Sequence, residues 1–361
     1  MENAEYNLIV AGAGPAGSAC AITAARAGLK VLLLEKDRLP RHKVCGEFVS
    51  PESLRLLNSL VGEDRFASNP RIGSARIFLG KKIISLPIIP EAQSIPRFDL
   101  DATLLQAARD GGVQAEEGVT VRDVAAGRPF EVRTTDKTYT ASVVVNTTGR
   151  WSQLTQFPPG NEKWLGLKAH FYEACPPHSV DLYFFEGGYC GVQPVGAGAV
   201  NASAMVRANS ARSLEEVFAR HPELWRRSRD WEPVFSPITT SPLYFRHRPQ
   251  THDKDKGMFM AGDAAGFIDP FAGDGISLAL HSGTLAAQSL IPFVQGKCSL
   301  EQAQQQYHSR YFRQLAPAFR NAARVRKVLS APPFLRSILL SIAATKPFAR
   351  TLVRSTRVQS T

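Results

Sequence analysis

The hexapeptide Gly12-Ala13-Gly14-Pro15-Ala16-Gly17 stands between an apolar run, Tyr6 to Ala11, and a small-residue segment of helical character, Ser18 to Ala27. A second apolar run, Lys30 to Glu35, follows, so the N-terminus reads as a βαβ unit. In that setting the glycine spacing demands a particular turn. Gly12 permits the tight bend, Gly14 lets the main chain approach a pyrophosphate, and Gly17 lets helix and strand pack closely. Pro15 and Ala16 complete the cradle, and the first helical N–H groups face the anion. Glu35, ending the second strand, can accept hydrogen bonds from an adenosine ribose and would repel a 2′-phosphate there; Lys36 beside it joins the site. The motif alone leaves NAD and FAD both open.

Far downstream, Met258 to Ala287 forms a second cradle, with an apolar strand, Gly262-Asp263, a loop holding Pro270 and Gly273 to Gly275, and a helix opening near Ile276. Asp263 at a strand end suits ribityl or phosphate-adjacent groups, and a helix N-terminus points donors at an electron-rich ring edge. A simple NAD dehydrogenase has no need of such an element. GDAAGFIDPFAGDGIS resembles the second FAD-contact motif of the group that includes p-hydroxybenzoate hydroxylase, flavin halogenases and geranylgeranyl reductases. The Ile276-Ser277 ending and HSGTLAA are most similar to the geranylgeranyl reductase branch. Arg97 in PRFDLDATLL matches the helix start whose arginine approaches the flavin, and Thr148-Gly149-Arg150-Trp151-Ser152 stands where the group carries D-G-x-x-S, with Thr148 replacing the aspartate. The resemblance implies FAD as cofactor, with Val121, Cys45 and Gly46 also near it.

Between the cradles, a helix is expected over Pro51 to Leu60, strands over Ala75 to Ile89, a helix over Leu100 to Arg109, and strands over Gln114 to Val124, Phe130 to Thr135 and Thr138 to Asn146. Trp164 to Arg207 reads as mostly β, Ser213 to Arg227 as a helix, Gly257 to Ala261 as a strand and Gly275 to Pro292 as a long helix. The expected fold is α/β: a Rossmann-like FAD-binding domain built from separated segments, 1–74, 97–155 and 251–300. A mainly antiparallel β substrate domain, 75–96 and 156–250, is inserted into it, and a basic helical region, 301–361, ends the chain.

Composition removes other chemistries. Five scattered cysteines form no CxxC or Cys/His set, so no metal site is expected and a reduced, cytoplasmic setting is the default. The first apolar run is broken by glycines, unlike a signal peptide, and no run is long enough to span a membrane. The formal charge of +11 has one source: residues 302–361 hold eleven Lys and Arg and no Asp or Glu, while residues 1–301 hold 32 of each sign. Alternating with Phe334, Leu335, Ile338 and Leu339, those charges suit amphipathic helices, either a cap with a solvated basic face or a peripheral membrane contact. No nucleic-acid motif accompanies them.

Flavin chemistry divides by access, electrostatics and proton donors. First comes reduction of carbon–carbon double bonds in a prenyl or lipid-like, hydrophobic substrate. The resemblance implies for it a flavin-side loop in KVCGEFVSP, with Cys45 as the catalytic candidate, and a substrate segment at Tyr189, Gly191 and Pro194. In that segment Gln193 occupies the place where the family has an aromatic. The alternatives are hydroxylation of an aromatic or polyketide-like substrate and, last, electron transfer without a small substrate; the halogenase lysine-proline and W-x-W-x-I-P signatures are missing. Cys45 is equally readable as a small packing residue where Gly46 turns the chain. Phe171, Tyr172, Tyr183, Phe184, Phe185 and Tyr189 are expected to form a β core or an apolar tunnel. His170 and His281 lack a partner acid at a recognisable spacing, and VGAGAV, Val195 to Val200, reads as a β-turn. With no second dinucleotide unit, electrons are expected from NAD(P)H bound transiently or from a separate reductase.

Overall fold

The computed structural model describes residues 4–329 apart from residues 81, 151, 156–162, 246–247 and 268. The basic segment 330–361 and Trp151 therefore lie outside the described residues. In chain order the first half comprises β1 (Tyr6–Ala11), α1 (Pro15–Arg26), β2 (Val31–Glu35), β3 (Phe48–Val49), α2 (Pro51–Val61), β4 (Arg71–Leu79), β5 (Lys82–Ser94), α3 (Arg97–Asp110), β6 (Gln114–Glu117), β7 (Val121–Ala125), β8 (Phe130–Thr134) and β9 (Thr138–Asn146). The second half comprises β10 (Trp164–Tyr172), β11 (Ser179–Phe185), β12 (Gly188–Gly196), β13 (Ala199–Arg207), α4 (Leu214–Phe218), α5 (Pro222–Arg227), β14 (Ile238–Thr239), β15 (Phe259–Met260), α6 (Gly275–Val294), α7 (Leu300–Gln314) and α8 (Ala316–Leu329).

The first sheet runs β6-β2-β1-β9-β8-β7. Its centre is parallel, with Leu8 opposite both Val31 and Val143, and is covered on both faces, which explains why β1 and β2 are continuous apolar runs. Alternation splits β1 cleanly: Leu8 and Val10 pack into the helical layer of α1, α3 and α6, while Ile9 and Ala11 enter the core on the other face. β9 is shared along its length. Its first residues pair antiparallel with β8, and Val145 and Asn146 pair in parallel with β15.

The second sheet runs β14-β10-β13-β12-β11-β4-β5-β3 and is antiparallel except between β11 and β4. One face packs on α4 and α5, burying Phe171 and Tyr183; Phe185 joins them and Tyr172 is exposed. The other face looks toward the first sheet's glycine turns. VGAGAV is the hairpin turn between β12 and β13, with Ala197 and Gly198 at positive φ.

Three expected elements differ. The Ser213 to Arg227 helix is two helices, because Pro222 opens α5 and the preceding His221 caps it, its Nδ1 accepting from Glu223 N at 3.2 Å. Gln114 to Val124 breaks at Gly118, φ +78°, into β6 and β7. The Gly257 to Ala261 strand shortens to Phe259 and Met260, its flank tied by Ala261 N to Asn146 O at 3.0 Å. α7, opened by a Ser299/Gln302 capping box, anchors on that strand through Tyr307 O–H donating to Met260 O at 2.9 Å. No helix among the described residues is long and apolar enough to cross a membrane.

Candidate functional site

A cavity of about 630 Å³ begins at the N-terminus of α1 and continues to the inner face of the second sheet. At its first end stand Gly12, Gly14, Pro15, Ala16, Glu35, Lys36 and Val121. Cys45, Gly46, Arg97, Gly262, Asp263, Pro270, Gly273, Gly275 and Ile276 line the middle, and Tyr189 and Gly191 the far end. Two sequence-expected residues lie elsewhere. Gly17 packs α1 against the turn, where an added Cβ would fall 1.8 Å from Gly12 O. Pro194 is buried within β12, and the neighbouring Gln193 lines the cavity instead.

The local structure explains the cradle. Gly14 is the N-cap of α1 in an extended conformation, so Pro15 takes the first helical position, where its missing N–H costs nothing. Glu35 fastens the turn: its Oε2 accepts from Ala13 N at 2.7 Å, its Oε1 accepts from Asp37 N at 3.1 Å, and Arg41 lies 3.5 Å away. The two glycine motifs touch directly, since a Cβ on Gly262 would come within 2.9 Å of Ala16 Cβ.

The KVCGEFVSP loop is held by its glutamate. Glu47, φ +61° and fully buried, accepts from Lys168 Nζ, from His170 Nε2 at 2.8 Å and from Arg97 N at 2.7 Å. Burial alone would raise its carboxyl, but Lys168 and His170 outweigh that and hold it low. Lys168 also donates to Lys43 O at 3.1 Å, and Asn201 Nδ2 to Cys45 O at 3.0 Å. Cys45, half-buried against the cavity, receives the Glu47 N–H at its Sγ, at 3.3 Å, and also interacts with the Arg97 guanidinium. His170 thus has an acid partner after all, supplied by another strand; His281 lies away from the cavity, its imidazole pKa lowered by burial. The signal for this cluster was present in WLGLKAHFY, where Lys168 and His170 share one face of an otherwise apolar strand.

Cations converge on the cavity's middle. Arg97 is clamped by Asp101 through two 2.6 Å bonds; burial works against its charge, and Asp101 raises its pKa well above the ordinary value. Arg150 lies 3.4 Å over the Phe267 ring and 3.5 Å from Asp263, and burial brings it down to about 10 against the pull of Asp263. Lys43 comes down to about 8 through burial and the neighbouring Arg97 and Arg41. Together with free helix N–H groups and the open face of Gly14, these cations fit the anionic pyrophosphate of a flavin dinucleotide. A pH profile tests this. Below about pH 8 Lys43 is already charged and FAD affinity should be flat; above it, affinity should fall by up to about tenfold per unit, because each anion bound must first protonate the amine. Fluorescence titration of FAD between pH 6 and 10 should show that slope, and Lys43→Met should flatten it.

The far end is apolar: Ile77, Ile84, Leu86 and Ile88 come from β4 and β5, Leu182 and Phe184 from β11, Tyr189 from β12 and Met205 from β13. None of the cavity residues on these strands is charged. Phe271 and Phe184 close around Tyr189. No group of His, Cys, Asp or Glu that could hold a metal occurs among the described residues.

The model of the FAD binding domain family matches residues 5–322. The menaquinone reductase of Mycolicibacterium smegmatis is 27% identical over 321 residues, spanning 79% of this chain and 76% of that protein. Digeranylgeranylglycerophospholipid reductase 3 of Methanosphaera stadtmanae is 24% identical over 360 residues, spanning 91% and 88%. Among solved structures, a triple mutant of the flavin-dependent brominase Bmp2 superposes with a TM-score of 0.80 at 19% identity, covering 98% of this chain and 94% of that one, a likeness of fold.

Proposed function

This chain belongs to the FAD binding domain family and is an FAD-dependent oxidoreductase, and on that premise we propose that it reduces a carbon–carbon double bond in a prenyl or lipid-like molecule. The observation that carries this reading is the uncharged arm between β4, β5 and β11, which opens from the flavin cradle. Each methylene buried there contributes about 0.8 kcal/mol, so a hydrocarbon chain is held without polar contacts. Bound FAD would supply the hydride and solvent the proton for the other carbon, and the enzyme's part is to bind and orient the chain. The Cys45-Gly46 loop, held by Glu47, Lys168, His170 and Asn201, forms a fixed part of the cavity wall against which FAD would bind. Arg97 and Lys43 would hold the anionic pyrophosphate of FAD. Electrons enter from NAD(P)H bound transiently or from a separate reductase protein. The two reductases among the relatives support the reading.

The mutual packing of Phe184, Tyr189 and Phe271 at the cavity favours a second reading, hydroxylation of a planar aromatic or polyketide-like substrate. Anaerobic reduction of the holoenzyme separates the two. The reduced protein should be reoxidised rapidly by geranylgeraniol and slowly by air-saturated buffer, followed by visible flavin absorbance. Rapid reaction with oxygen and none with the alkene would remove the reductase reading and leave the monooxygenase.

A further inference from the structure

The inner face of the second sheet is graded along its strands. Phe184, Tyr189 and Met205 stand opposite one another on β11, β12 and β13. Two residues along come Leu182, Gly191, Ser203 and Lys168, and two further along come Gln193, Asn201 and His170. Residues two apart share a face, and of the last row Gln193 alone lines the cavity, so its wall passes from apolar at Phe184, Tyr189 and Met205 to polar at Gln193. In the polar row two carboxamides already use their donors: Asn201 Nδ2 donates to Cys45 O at 3.0 Å and Gln193 Nε2 to Ser94 Oγ at 2.7 Å. Their oxygens, Asn201 Oδ1 and Gln193 Oε1, are buried and have no hydrogen-bond partner among the described residues. The Asn201 orientation follows from its neighbour, because a main-chain carbonyl can only accept. Gln193 differs from Asn201 in one respect that matters: it lines the cavity.

A buried acceptor without a donor is costly, and a ligand that supplies the donor recovers that cost. We propose that Gln193 determines specificity, its amide oxygen accepting a hydrogen bond from an O–H or N–H group on the substrate. The substrate is then an apolar molecule with a hydroxyl- or N–H-bearing head at the polar row, its hydrocarbon lying along β4 and β5, not a bare hydrocarbon. This rests on the reading of the arm as the substrate site.

The same chemistry could be offered by an N–H of the flavin, and the test separates the two sources. Calorimetric titration of the holoenzyme with 2-naphthol and with 2-methoxynaphthalene compares one ring with and without a donor. The wild type should bind the naphthol about tenfold more tightly. Gln193→Met, of similar length and apolar, should bind both alike while retaining FAD, and Gln193→Leu should behave in the same way. A preference that survives both substitutions, or none in the wild type, overturns the proposal. Loss of FAD from the variants also overturns it, by assigning the oxygen to the cofactor. Because heat of binding is read without turnover, failure of the alkene to reoxidise the enzyme would overturn only the reductase reading.

Discussion

A Gly17→Ala variant is expected to lose FAD binding almost completely and to unfold at markedly lower denaturant concentration. The new Cβ would lie 1.8 Å from Gly12 O and 2.6 Å from Thr147 Oγ1. Neither can retreat: Gly12 sits in the turn that β2 holds through Gly12 N donating to Leu34 O at 2.7 Å, and Thr147 Oγ1 shares its one proton between Ala11 O and Gly12 O, each 2.8 Å away. The only relief is for α1 to lift from the sheet, and α6 blocks that movement, since Gly283 already lies so close that its own Cβ would come within 2.0 Å of Ala16 O. Overpacking a core commonly costs 1 to 3 kcal/mol; with backbone on both sides the cost here should exceed about 3 kcal/mol, equivalent to more than a hundredfold in FAD affinity if it falls on binding. FAD titration together with denaturant unfolding measures both. A variant with unchanged affinity would show that the turn is not held as described.

Glu47→Gln carries the second large expectation. It removes the carboxylate from Lys168, whose side chain is wholly buried, and from His170. Removing one partner of a buried ion pair typically costs 3 to 5 kcal/mol, because the other charge is left uncompensated. The unfolding free energy should fall by about that amount, and FAD affinity should fall with it, since the Cys45-Gly46 wall loses its anchor. The sign of the pH dependence follows from the lowered Glu47 carboxyl. Its contribution is present above the unfolded carboxylate value and is lost as pH falls through the lower, folded one, so wild type and variant should converge in acid. Pairing the change with Lys168→Met should recover much of the loss, because it removes the stranded charge. If the single variant is as stable as the wild type, Lys168 has another counter-charge and the cluster does not hold the loop.

The sequence made the two cradles legible because both depend on local rules. A glycine turn between strand and helix, and an acid at the next strand's end, have positions that spacing alone can assign, and all of those residues but Gly17 line the cavity. What escaped was set by contacts between distant strands. Within KVCGEFVSP the cysteine drew attention, yet Glu47 is the residue that organises the loop, through Lys168 and His170 on β10. Lysine and histidine two apart in an apolar strand mark an inward charged face, but not which acid meets them. Gln193 and Pro194 show the same limit: neighbours in a strand face opposite ways, and only the register against β13 says which one sees the cavity. Lys43, Arg41 and Arg150 are ordinary surface residue types until the fold brings them to the wall of one cavity.

The division of β9 between two partners also orders events in time. Its end, Val145 and Asn146, waits for Phe259 and Met260, which the ribosome delivers only after the whole second sheet has been made. Until then the nascent chain has one glycine turn and half a cradle, and its parallel edge at β9 has nothing to zip against. Long-range pairing of this kind forms slowly. The second half of the cradle is therefore assembled late, and FAD bound across both halves would act as a clasp between an early and a late part of the chain.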